Sequence, residues 1–170
     1  MLYRFCQFFN AACPRIDAKE YLWVRKVLSE KEYRLFLQQA LPDRRHALDV
    51  AREIEDNSEN ITKIHGKTGY RNLLHAALLH DCGKSVAPLR IWQRILMVII
   101  NALPALYIQK LSSGSTILSQ TITLHQQHPR QGKQLAALAG CDEQVLSLIE
   151  NHHSPTTGLE RILYEIDSKH

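Results

Sequence analysis

Asn72-Leu73-Leu74-His75-Ala76-Ala77-Leu78-Leu79-His80-Asp81-Cys82-Gly83-Lys84 runs from an unbroken apolar segment straight into a histidine, an aspartate and a lysine. Leu73, Leu74, Ala76, Ala77, Leu78 and Leu79 leave no polar face, which is the composition of a helix at the centre of a bundle. The helix is expected to end at Asp81, with Gly83 free to take the left-handed turn that closes it. An imidazole and a carboxylate at the buried end of such a helix are costly unless something pairs them. A divalent cation does so.

Helical signals continue on both sides, and strand-like alternation is nearly absent. Upstream, Asp17 can cap a helix carrying Tyr21, Leu22, Val24, Val27 and Leu28, and Ser29 with Glu32 forms a capping-box pattern before a second. Pro42 is expected to stop the chain and Asp43 to cap a third helix, where Ala47, Val50, Ala51 and Ile54 form one apolar stripe bordered by His46. The polar run Asp56-Asn57-Ser58-Glu59-Asn60 breaks the pattern, and His65-Gly66-Lys67-Thr68-Gly69 reads as a loop.

Downstream, His128 stands before Pro129 and is expected at the entrance of a helix whose first position Pro129 suits. Gly140 closes that helix and Asp142 caps the next, whose Val145 and Ile149 share a face with His152 and His153 one turn on. After the turn Ser154-Pro155-Thr156-Thr157-Gly158, a last helix with Leu159, Ile162, Leu163 and Ile166 brings in Asp167. The expected fold is all-α, a single-domain helical bundle. Residues 1–42 form an N-terminal helical extension packed on a metal-site core, 43–170.

With 170 residues, 45% hydrophobic and 22% charged, the chain is long enough for one proper core and is not disordered. The net charge of +4 suits an anionic substrate or a membrane surface, but it is spread along the chain. There is neither a nucleic-acid recognition motif nor a signal for a particular oligomeric state. Cys6, Cys13, Cys82 and Cys141 form no C-x-x-C pair, and the aromatic start lacks a basic leader and cleavage site, so free thiols in the cytoplasm are expected. The apolar segment 91–108, interrupted by Pro104, is shorter than the roughly 20 residues a spanning helix needs. It is expected to be buried, or to dock a partner or the membrane periphery.

The order of the polar residues carries the chemistry. His46, His80, Asp81 and Asp167 supply four nitrogen and oxygen ligands from three helices, suited to Mn, Fe, Zn, Ni or Co, or to Mg as oxygen predominates. Open positions on such an ion make the arrangement catalytic, whereas a structural zinc site would be closed and rich in cysteine. His128 with His152 or His153 would hold a second ion, bridged to the first through Asp81. His125, one turn before His128, suits a supporting or core position. His65, His75 and His170 read as ordinary surface or packing residues. Lys84, one short loop beyond the ligands, is placed to neutralise a substrate phosphate, and metal-activated water would be the nucleophile.

His46, the His80-Asp81-x-Gly83-Lys84 run and the late Asp167 resemble the H…HD…D pattern of the HD-domain superfamily of metal-dependent phosphohydrolases. His128-Pro129-x-x-Gly132 and His152-His153 resemble the extra histidines of its binuclear and HD-GYP-like branches. Arg161 to Asp167 resembles the helix that delivers the family's final aspartate. Two departures bear on the substrate and the metal count. No Glu or Gly-Tyr-Pro segment follows the histidine pair, which argues against cyclic-di-GMP, and Pro42 stands where trinuclear members carry a glutamate ligand. The resemblance implies one or two divalent ions and a phosphomonoester or phosphodiester substrate, a nucleotide above all, with catalytic roles for Asp81 and Lys84. The alternative is a non-catalytic HD signalling or scaffold module that binds metal or nucleotide and docks a partner or membrane through 91–108.

Overall fold

A computed structural model describes residues 14–86 and 117–170, with side chains from 126 onward in the second segment. The apolar 91–108 segment and the side chain of His125 lie outside the described residues. Seven α-helices are present among them, and no strand: α1 Ala18–Val27, α2 Glu30–Gln38, α3 Leu41–Asp56, α4 Ser58–Leu79, α5 Ile117–Ala139, α6 Glu143–Asn151 and α7 Gly158–Asp167. A 3-10 turn, Cys82–Ser85, follows α4. None of these helices is long and apolar enough to cross a membrane.

The helix starts follow local chemistry. Asp17 and Ser29 each accept a hydrogen bond from the backbone N–H three residues on, and Glu20 and Glu32 return one to the cap. Pro42 differs from expectation. It lies in the first turn of α3, which Ala40 precedes without a side-chain cap, and Asp43 is buried inside that turn. Proline's fixed φ and missing N–H are compatible with a helix start as well as with a stop. The break around residue 57 is a single junction between α3 and α4. The expected loop at 65–69 shrinks to one residue, Gly66, whose non-helical φ of 73° and ψ of 170° divide α4 into two helical segments joined at a kink.

α4 runs through the middle of the molecule. Leu73, Ala76, Ala77, Leu78 and Leu79 are fully buried against α3 and α6. Each leucine so buried contributes roughly 1.5–3 kcal/mol. Gln39, just past α2, donates from Nε2 to the Leu78 carbonyl at 3.0 Å and so satisfies one of the open carbonyls at the end of α4. Glu32 draws three elements together, accepting from Ser29 N at 2.8 Å and sharing Oε1 with His75 Nδ1 at 2.8 Å and Cys141 Sγ at 3.2 Å.

Three further expectations are corrected. Gly83 does not take a left-handed turn; positive φ among the described glycines is confined to Gly66 and Gly140. It is needed for space, because a Cβ there would lie 1.9 Å from the His128 carbonyl oxygen and 2.6 Å from Gly132 N. His128 and Pro129 lie inside α5 rather than at its entrance. The lost internal hydrogen bond, roughly 3 kcal/mol in an isolated helix, is outweighed where α5 is clamped between the 3-10 turn and α6. Gly140, at φ 86°, closes α5 as expected. Asp142 occupies the cap position of α6, but its carboxylate pairs with Arg71 at 2.9 Å instead of capping.

Candidate metal centre

The C-terminal ends of three helices and the interiors of two others meet at one place. His46 comes from α3, beside its buried stripe; His80 and Asp81 from the junction of α4 with the 3-10 turn; His128 from within α5; His152 and His153 from just beyond α6; and Asp167 from the last residue of α7. His80, Asp81, His128 and His152 are all at most 2% exposed. All seven residues expected at the site are brought together there.

They form two triads around Asp81. In His46, His80 and Asp167 the potential ligand atoms lie within 4.8 Å of one another, as they do in His128, His152 and His153. Asp167 Oδ1 stands 2.7 Å from His46 Nε2 and 3.3 Å from His80 Nε2. Asp81 divides its oxygens between the groups: Oδ2 is 3.7 Å from His80 Nε2, while Oδ1 is 3.3 Å from His128 Nε2 and 4.0 Å from His152 Nε2. One carboxylate thus faces both triads with different atoms.

The histidines at the centre are oriented by backbone. A carbonyl only accepts, so the contacts from His80 Nδ1 to Ala77 O at 2.9 Å and from His152 Nδ1 to Ile149 O at 2.7 Å place the proton on Nδ1 in each neutral ring. In that neutral form Nε2 presents its lone pair to the cluster, the arrangement that metal-ligating imidazoles use; without a cation, Asp81 and Asp167 favour a second proton on His80. His80 Nε2 is buried and makes no well-formed hydrogen bond, with Asp167 Oδ1 at 3.3 Å and Asp81 Oδ2 at 3.7 Å. An orphaned buried nitrogen beside two carboxylates fits a cation. Cys82 stands apart from the donor set, its Sγ directed at Gly132 O at 3.5 Å.

The electrostatics are those of a cation-binding site whose own cations partly compensate it. Burial opposes ionisation of Asp81, but Lys84, His80 and His128 hold its carboxyl well below the usual range. Burial likewise opposes charge on His80, and Asp81 and Asp167 overcome it to hold the imidazole at about 9. His152 is held neutral by burial, and by the positive charge that His80 can carry. Lys84 sits closer in than expected: Nζ is 2.5 Å from Asp81 Oδ2, so the ammonium shares this carboxylate with any bound ion rather than standing clear of it.

One residue that organises the site was not anticipated. Glu160, 1% exposed, accepts at Oε2 from Thr156 N, Thr156 Oγ1 and Thr157 N, and at Oε1 from Ser147 Oγ and Asn151 Nδ2, all within 2.9 Å. It ties α6 to the turn after His153 and to the start of α7, and thereby sets His152 and His153 against Asp167. The capping-box spacing Thr157-x-x-Glu160 was the readable signal. Burial opposes its ionisation, but these donors lower its pKa to about 2. The folded value lies below the unfolded one, so the contribution is complete above the unfolded pKa near 4.5 and is lost as pH falls toward about 2. Glu160→Gln is expected to cost about 3 kcal/mol in denaturant unfolding at pH 7, and clearly less at pH 3. An equal difference at both pH values would exclude this role.

No protein-family model, curated protein or solved structure matches the chain.

Proposed function

We infer that this chain is a metal-dependent phosphohydrolase of the HD-domain type, hydrolysing a phosphomonoester or phosphodiester of a small molecule, with a nucleotide the favoured class. The observation that carries the reading is Asp81, whose two oxygens face two separate histidine-containing triads. Imidazole nitrogens and carboxylate oxygens in that mixture suit Mn, Fe, Co, Ni or Zn ahead of Mg. His46, His80 and Asp167 would hold one ion, His128, His152 and His153 a second, with Asp81 between them. When bound, such ions acidify water toward neutral pH and offset charge on the phosphate oxygens.

The chain's own residues supply the rest. The carbonyls of Ala77 and Ile149 fix the faces of His80 and His152, and the surrounding leucines keep bulk water from the inner side. Lys84 holds a positive charge against Asp81 and can pass it to a phosphate oxygen once a cation takes over that carboxylate. A second reading, the non-catalytic module, is favoured by one observation: the Lys84–Asp81 and His46–Asp167 pairs already compensate much of the cluster internally.

The discriminating experiment is metal analysis of purified protein after dialysis with Mn, Fe, Co, Ni, Zn or Mg, followed by assay on p-nitrophenyl phosphate, bis(p-nitrophenyl) phosphate and nucleotides. Bound metal with turnover is the expected result. Bound metal with no turnover of any phosphoester would select the module, and failure to take up metal would remove the phosphohydrolase reading.

A further inference from the structure

Of the second triad, His128 and His152 are buried whereas His153 is exposed, so this half of the centre opens to solvent on the His153 side. A groove of about 430 Å³ lies there, lined among others by Gln126 and Arg130 of α5 and by Glu150, Asn151 and His153 at the end of α6. That volume is in the range of small-molecule sites, roughly 300–1,000 Å³. Gln126, Arg130 and the buried Pro129 between them belong to one face of α5.

The charges in the groove do not cancel. Among the described residues Glu150 is its one carboxylate, and Lys133 Nζ binds Glu150 Oε2 at 2.7 Å. Asn151 commits its amide hydrogens to Ser147 and Glu160, which leaves its carbonyl oxygen. Arg130 is exposed and, among the described residues, makes no ion pair or hydrogen bond. Lys84 is not among the residues that line this groove. The C-terminal end of α6 carries the negative pole of its helix, so an anion would settle on the α5 wall, over the guanidinium.

We propose that this groove holds the non-reacting part of the substrate and that Arg130 selects substrates carrying a second anionic group, phosphate or carboxylate, beyond the reacting phosphate. The planar donor fork of arginine matches either anion. The proposal rests on the phosphohydrolase reading and narrows its substrate class.

The test is equilibrium binding of unreactive phosphonates to Mn-loaded protein by calorimetry. Phenylphosphonate has one anionic group; 4-carboxyphenylphosphonate and 1,4-phenylenediphosphonate add a second of either kind, and the larger gain identifies which one is preferred. The wild type is expected to bind the two-anion compounds about fivefold more tightly, the upper range for a solvent-exposed ion pair. In Arg130→Gln that gain should vanish while phenylphosphonate binds as before, and high salt should erode it in the wild type. Equal binding of all three by the wild type, or a gain that survives in Arg130→Gln, overturns the selection by Arg130 and leaves the phosphohydrolase reading standing. Binding of none of the three would overturn both.

Discussion

Asp81→Asn protein is expected to lose hydrolysis altogether and to take up at most one divalent ion weakly. Asparagine keeps the size of the side chain but removes the charge, and its amide nitrogen cannot ligate a cation. The loss should appear without any substrate. Saturating ligand at a hundred times its Kd stabilises the folded state by about 2.7 kcal/mol, so the rise in melting temperature expected of the wild type with Mn should be absent from the variant. Metal-free Asp81→Asn should itself be less stable by about 3 kcal/mol, because removing one partner of a buried pair strands the other. Here the stranded group is Lys84, while His80 keeps Asp167. The double variant Asp81→Asn/Lys84→Gln should recover part of that stability and none of the metal response. A metal-induced rise that survives in Asp81→Asn would sink the bridging role.

Gly83→Ala should be the most damaging single-methyl change available near the site. The added Cβ would meet the carbonyl oxygen of His128 at 1.9 Å and the nitrogen of Gly132 at 2.6 Å, both backbone atoms that no rotamer change can move. α5 would have to draw back from the 3-10 turn, taking His128 away from Asp81. Overpacking costs about 1–3 kcal/mol and more where relief is backbone motion, so a loss of at least about 3 kcal/mol in urea unfolding is expected. Where the protein still folds, ion uptake should fall because the second triad is opened. Gly140→Ala is the control: its φ of 86° imposes strain, but nothing lies within 4 Å of the added carbon, so about 1 kcal/mol is expected. Equal costs at the two positions would show that close approach at Gly83 is not the constraint.

Features that depend on a few neighbouring residues were legible without tertiary information. Asp17 caps its helix and the Ser29–Glu32 capping box forms as the spacing predicts, and Gly140 closes its helix. So did the all-α class follow from apolar spacing, and the same seven site residues converge that the order of histidines and aspartates had singled out. Proline was the weak point. Pro42 begins a helix where a stop was read, and Pro129 is accommodated inside one, because its fixed φ is compatible with several positions and packing chooses among them. Glycine misled in the same way at position 83, where the requirement is room for another helix rather than a backbone angle.

What the amino-acid order determined by itself was therefore the all-helical class, the buried character of the central helix, and the identity of the polar residues that meet at the site. Local hydrogen bonding and periodicity act over three or four residues, and sequence records them directly. Only the folded chain decided that His46 and Asp167, 121 residues apart, would touch at 2.7 Å, that Asp81 would turn one oxygen to each triad, and that Lys84 would lean on Asp81 while Glu160 braced the turn beside it. Those contacts are set by how whole helices pack, and packing depends on side chains contributed from every part of the chain at once.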